Sequence, residues 1–203
     1  MSLLACTNGV LLTDTIGIDC STNDKKRFKM KKLFLSSDNR FALAGTGDMI
    51  PSFYWPKVES LIRRLLDVYY KNGGDDMSLA GLDLADTKLV KNLINSRQLV
   101  IMTKDAVFHA EDDGMSFTRF EHLIVQGTYS NNFLIAAEFK AMETNRFLED
   151  LSTSEIVDAA YYGVSYASSI PPKYKVDSND PRFFEIDYVE QSRMNGYTDN
   201  WEK

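Results

Sequence analysis

The sequence predicts an α+β protein, a four-layer αββα sandwich in which two stacked sheets lie between two pairs of helices. Two observations lead there. Strand-like and helix-like runs come in blocks (strands, two helices, strands, two helices, a closing strand) rather than as strict strand–helix–strand units. The strands themselves, "SLLAC", "GVLL", "LVIM" and "HLIV", are apolar at nearly every position, which is the pattern of strands buried on both faces. Sheets of that kind must stack on one another, with helices covering the outside.

The elements follow in order. "MSLLACTNGVLLTD" reads as a hairpin with a two-residue turn at Asn8-Gly9 and a second strand ending at Asp14, so the core begins as early as residue 3. "TIGIDCST" is a further strand, followed by a basic loop. "KKLFLSS" and "RFALAGTG" flank the turn Asp38-Asn39 as a second hairpin. In "PKVESLIRRLLDVYY" the apolar residues Val58, Leu61, Ile62, Leu65, Leu66 and Tyr69 recur at three and four, an amphipathic helix with Pro56 in its first turn and a breaker at "KNGGDD". "LADTKLVKNLI" is a second helix, expected to run antiparallel to the first. "QLVIMT" and "AVFHA" form a third hairpin around Lys104-Asp105. "HLIVQGT" is a strand leading to Ser130, the expected N-cap of the helix "NNFLIAAEFKAMETNRFL". Ser152 and Glu155 have capping-box spacing ahead of the last helix, "STSEIVDAAYYGVSYASS", and "RFFEIDYVE" is the closing strand. One domain over 1–190 and a polar tail over 191–203 are expected.

Composition bounds the function. The 203 residues are 44% hydrophobic and 26% charged, an ordinary globule with length for one large core. A net charge of −6 opposes nucleic-acid binding, which rests on neutralising phosphates with a basic surface. The run "KKRFKMKK", Lys25 to Lys32, goes against that balance; alone it reads as a solvated loop or a contact for an acidic partner. Cys6 and Cys20 lack metal-ligand spacing and read as small buried hydrophobes. His109 and His122 lie on separate strands and suggest no metal. "AGTGD" lacks the Lys-Ser/Thr ending of a phosphate loop, so neither cofactor nor metal is expected. No secretory apolar region and no run near the ~20 residues of a spanning helix is present, and a soluble, cytoplasmic setting without membrane contact is the expectation. Tyr69, Tyr70, Tyr161, Tyr162 and Tyr166 fall at helical spacing, as packing or subunit contacts do.

Taken together and in this order, Ser2 to Gly9, "VLLTD", "FKMKKLFL", "FALAGTGDM" and "LIVQGTYSNNFLIAAEFKAM" resemble the proteasome β-subunit and bacterial HslV family of N-terminal nucleophile hydrolases. The likeness runs from the N-terminus to the last helix. It implies that the first residue of the mature chain is the nucleophile and that its own α-amine is the general base. Removal of Met1 would give Ser2 both groups without a dedicated propeptide. An α-amine ionises near about 7.7–8.0 against about 10.4 for lysine, so much of it is unprotonated near neutrality.

By the same resemblance Lys29 is the catalytic lysine beside the nucleophile, and Asp14 pairs with it. Backbone N–H groups near Gly45 to Gly47 form an oxyanion hole, with Gly47 at its end. Thr128 stands where the family's Gly-Ser-Gly turn has its serine, and Ser165 where the family has an aspartate supporting the amine. Serine replaces the family's usual threonine as nucleophile.

The resemblance implies a homo-oligomeric ring, stacked in pairs in family members, with a peptide or unfolded protein as substrate and room for an ATP-dependent unfoldase as partner. The alternative is a catalytically inactive subunit of the same fold, kept to build a ring or shell. A third reading, an amide hydrolase for penicillins or bile-acid conjugates on the wider fold, conflicts with the short chain. Residue by residue the plainer readings are a Ser2 set by translation start, an Asp14 that ends a strand, and an "AGTGD" that is a tight strand-to-helix connection.

Overall fold

The computed structural model describes residues 3–7, 9–19, 26–47, 50, 52–74, 77–78, 82–95, 97–110, 116–120, 123–168, 173–176 and 182–187. In chain order the elements are β1 (Leu4–Thr7), β2 (Val10–Asp14), β3 (Ile16–Asp19), β4 (Lys26–Lys29), β5 (Leu33–Leu35), β6 (Phe41–Gly47), α1 (Trp55–Lys71), β7 (Met77–Ser78), α2 (Leu84–Ile94), β8 (Arg97–Thr103), β9 (Val107–Ala110), β10 (Ser116–Phe120), β11 (Ile124–Gln126), α3 (Ser130–Glu143), α4 (Thr153–Ser168), β12 (Lys173–Val176) and β13 (Phe183–Asp187). They fall into two compact units, residues 1–33 with 122–203, and residues 34–121. This is an α+β arrangement of mostly antiparallel sheets with helices.

In the first unit the sheet order is β11-β1-β2-β13-β12, and β3 and β4 form a separate pair. The turn at Gly9 sets the β1–β2 register: Thr7 faces Val10 and Leu4 faces Thr13, with Gly9 at φ 73, where a side chain would be strained; Asn8 lies outside the described residues. Because strand side chains alternate, Leu3, Ala5, Val10 and Leu12 share one face. That face packs on Phe133, Ala137, Ile156 and Ala160 of α3 and α4. Leu4, Cys6 and Leu11 on the other face are buried as well, as the uninterrupted apolar run requires. β13 joins β2 in parallel, from Phe183–Leu11 to Ile186–Asp14.

The second unit is built on the sheet β5-β6-β8-β9-β10-β7. α1 buries Val58, Leu61, Ile62, Leu65, Leu66 and Tyr69, the residues its periodicity selects, against Phe41, Leu43, Leu99, Ile101 and Phe108. Pro56 lies in its first turn, and Gly73 and Gly74, both at φ 84, stop it. At α2 the side chain of Asp83 accepts the Asp86 N–H at 2.7 Å.

Local chemistry corrects three expectations. Part of the basic run is a strand, β4, paired with β3 from Ile16–Lys29 to Asp19–Lys26. β7, β10 and β12, strands of two, five and four residues, add to the elements the sequence predicts. Ser130 is the first residue of α3 rather than its cap, and Tyr129 before it offers no side-chain cap. The Ser152–Glu155 capping box does form: Glu155 accepts the Ser152 N–H at 2.8 Å and the Ser152 hydroxyl at 2.6 Å, while Glu155 N–H reaches Ser152 Oγ at 3.4 Å.

Candidate functional site

β2 carries its last side chain, Asp14, wholly into the interior, at 0% exposure. A carboxylate there needs partners, because desolvation otherwise outweighs any packing gain. Two donors meet its Oδ1: the backbone N–H of Leu3 at 2.7 Å and the ammonium Nζ of Lys32 at 2.8 Å. The Lys32 side chain is itself 2% exposed.

The hairpin register brings these groups together. Continuing the ladder past Leu4–Thr13, the Asp14 N–H donates to the Leu3 carbonyl at 3.2 Å, which sets the carboxylate beside the Leu3 amide. A slip of one residue in this register would turn Asp14 to the opposite face. Lys32 arrives from the end of β4. There the Met30 N–H donates to the Thr15 carbonyl at 2.8 Å, Lys31 projects into solvent, and Lys32 turns inward.

Among the described side chains the cation at Asp14 is Lys32, three residues beyond the Lys29 that the family resemblance indicates. The backbone of Lys29 pairs with Ile16 at the end of β4, and its side chain lies outside the described residues. Ser2 also lies outside them; its carbonyl carbon is bonded to the Leu3 nitrogen that donates to Asp14. Thr128 is exposed in the turn between β11 and α3. Ser165 falls in the last turns of α4, with its side chain outside the described residues. Cys20, His122 and the tail 191–203 lie outside them too.

Gly47 belongs to the second unit, at the exposed end of β6, with φ 93, a conformation that favours glycine. Gly45 has a packing reason of its own: a Cβ there would lie 2.7 Å from Leu99 Cδ2 and 3.3 Å from the Gln98 carbonyl oxygen.

Chemically, the first unit holds a buried ammonium and the Leu3 amide on one carboxylate oxygen. Among the described residues that ammonium makes one hydrogen bond, to Asp14, and an ammonium has three N–H groups to donate. Cys6, the thiol on β1, is no competing nucleophile. Burial pushes its pKa up to about 12, so the thiolate is not populated near neutrality. Among the described residues no three His, Cys, Asp or Glu side chains cluster as a metal site would require, and no helix is long and apolar enough to cross a membrane.

No protein-family profile matches the chain, and no curated protein matches it in sequence. Solved structures that resemble it in part include Anbu (ancestral beta-subunit) from Yersinia bercovieri, at 14% identity and TM-score 0.47 over 83% of this chain and 75% of that one. Thiobacillus denitrificans BPH in complex with Epoxomicin matches at 13% identity and TM-score 0.43 over 83% of this chain and 89% of that one. Likeness at this level transfers no residue role.

Proposed function

We propose that the chain is an N-terminal nucleophile amide hydrolase acting on peptide bonds, with Ser2 as nucleophile once Met1 is removed and Lys32 in the role first expected of Lys29. The observation that carries this reading is the shared carboxylate: Asp14 Oδ1 accepts from Lys32 and from the amide joined to Ser2, so one buried anion fixes both the cation and the start of the chain.

In this scheme the Ser2 α-amine takes the hydroxyl proton as Oγ adds to the substrate carbonyl. The same proton passes to the leaving amine, an ester forms at Ser2, and water hydrolyses it. The Lys32 ammonium stabilises charge developing at Oγ, and Asp14 orients it. The parts given to Gly47, Thr128 and Ser165 rest on the family resemblance, as do the single four-layer αββα domain over 1–190, the ring, the cytoplasmic setting and an unfoldase partner. Intact-mass analysis of native protein, with peptide hydrolysis by wild type and Ser2→Ala, tests the proposal. Loss of Met1 and loss of turnover in the variant are expected; Met1 retained throughout, or undiminished turnover, sinks it.

The second reading, a ring- or shell-forming subunit without chemistry, is favoured by an exposed apolar face on α3 and α4 that invites assembly: Ile135, Phe139, Met142 and Tyr162 are all more than half exposed. An N-terminal electrophile separates the two. Stoichiometric labelling of Ser2 by a β-lactone removes the scaffold-only reading.

A further inference from the structure

The end of α1 depends on two glycines. Asn72 closes the helix, its N–H donating to the carbonyls of Val68 at 3.0 Å and Tyr69 at 3.2 Å. The next two residues, both at φ 84, turn the chain back: Gly73 N–H reaches the Tyr70 carbonyl at 3.4 Å and Gly74 N–H the Tyr69 carbonyl at 3.0 Å. The turn also meets the core. Tyr69 is buried with its ring edge-on to Phe108, centroids 4.9 Å apart, and a Cβ on Gly74 would lie 3.4 Å from the Tyr69 hydroxyl.

The same geometry leaves Asn72 open to attack by its own backbone. Asn72 is exposed, and among the described residues its side-chain amide makes no hydrogen bond. The nitrogen that follows it belongs to glycine, so no Cβ shields it. Its hydrogen bond to Tyr70, at 3.4 Å, is longer than the usual range of about 2.7–3.2 Å and restrains it weakly. Asn8-Gly9 and Asn195-Gly196 repeat the dipeptide, with both asparagines outside the described residues.

We propose that Asn72 is a site of spontaneous covalent modification in the folded protein, converting to isoaspartate and aspartate. The Gly73 amide nitrogen loses its proton and bonds to Asn72 Cγ, the Cγ–Nδ2 bond breaks, and ammonia leaves with that proton. Water then opens the five-membered imide at either carbonyl, giving aspartate or an isoaspartate whose main chain runs through Cβ and Cγ. Water is the one co-reactant, and Ser2 takes no part. The isoaspartyl link adds an atom between Asn72 Cα and Gly73, which pulls the Gly73 and Gly74 N–H groups off the Tyr70 and Tyr69 carbonyls. The new carboxylate also stands at a helix C-terminus, where the dipole opposes an anion. Modification therefore loosens the last turn of α1.

The test is to hold native protein in mildly alkaline buffer, map its peptic peptides by mass spectrometry, and separate modified from unmodified chains by ion exchange. A one-dalton gain at residue 72 is expected, with isoaspartate in excess of aspartate and a lower Tm in the isoaspartyl fraction. Asn72→Gln, whose ring closure would need six members, is expected to slow the gain at that position at least tenfold. Asn72→Asp adds the charge without the extra main-chain atom and should lose less Tm than the isoaspartyl fraction. No gain at residue 72 in native protein, a gain that arises only in urea-unfolded chain, or an isoaspartyl fraction that melts with unmodified protein overturns the proposal.

Discussion

Two charged clusters in this molecule use similar side chains to opposite ends. In the second unit Arg63 joins Asp38, from the β5–β6 turn, to Glu59 on α1, and Glu59 also accepts from the N–H and hydroxyl of Ser37 at 2.7 Å each. The Arg63 guanidinium holds the Asp38 carboxyl far below the usual carboxylate range. These side chains are partly exposed, at 28%, 40% and 13%, and water screens their attraction. In the first unit Asp14 and Lys32 are 0% and 2% exposed. Burying a pair in this way costs several kcal/mol of desolvation per ion, and a hydrophobic pair of similar volume is often as stable. The exposed cluster fastens a turn to a helix. The buried pair, with the Leu3 N–H on the same carboxylate oxygen, ties β1 to the segment after β4 at a much greater desolvation cost.

The largest expected break in this comparison is Lys32→Ala. It takes the ammonium from a buried carboxylate that keeps its Leu3 N–H, and should cost about 3–5 kcal/mol in a urea titration. The sharpest is Asp14→Leu with Lys32→Met. If the pair serves chemistry, this double variant stays within about 1–2 kcal/mol of wild type while hydrolysis disappears. Equal losses of stability and activity would make the pair structural.

Gly45→Ala comes next, at about 1–3 kcal/mol for the clash with Leu99, measured by the same titration. Arg63→Ala should cost at most about 1 kcal/mol, because its pairs are partly solvated.

The smallest effect is a matter of pH. Hydrogen bonds from Ser152, followed by the Arg146 guanidinium, lower the Glu155 pKa from 4.5 to about 2. A folded value below the unfolded one means this stabilisation is complete above about 4.5 and fades as pH falls through 2. Glu155→Gln should therefore flatten the dependence of Tm on pH between those limits and leave the dependence above pH 6 unchanged.

What the sequence made legible was local. The six buried positions of α1, the β1–β2 hairpin and the Ser152–Glu155 box each follow from spacing within a few residues, and each is found in the structure. The parallel pairing of β13 with β2 joins segments about 170 residues apart and leaves no local trace. At the buried pair, Asp14 stood out in the sequence only through the family resemblance. That Lys32 reaches it was not legible. Within "FKMKKLFL" Lys29, Lys31 and Lys32 are chemically equivalent, and only the Met30–Thr15 hydrogen bond, with Lys31 turned outward, decides that Lys32 enters the interior. A usable signal was its place directly before the buried Leu33 and Phe34.

The arrangement makes sense as a catalytic one only if a hydroxyl and an unblocked amine occupy position 2 beside the Lys32 charge. The most direct measurement is intact and peptide-level mass spectrometry of native protein after exposure to a β-lactone. The account predicts a chain lacking Met1 that carries one adduct, located on Ser2 and absent from Ser2→Ala. Met1 still attached in unreacted, fully native protein, or an adduct that persists in Ser2→Ala, would contradict it.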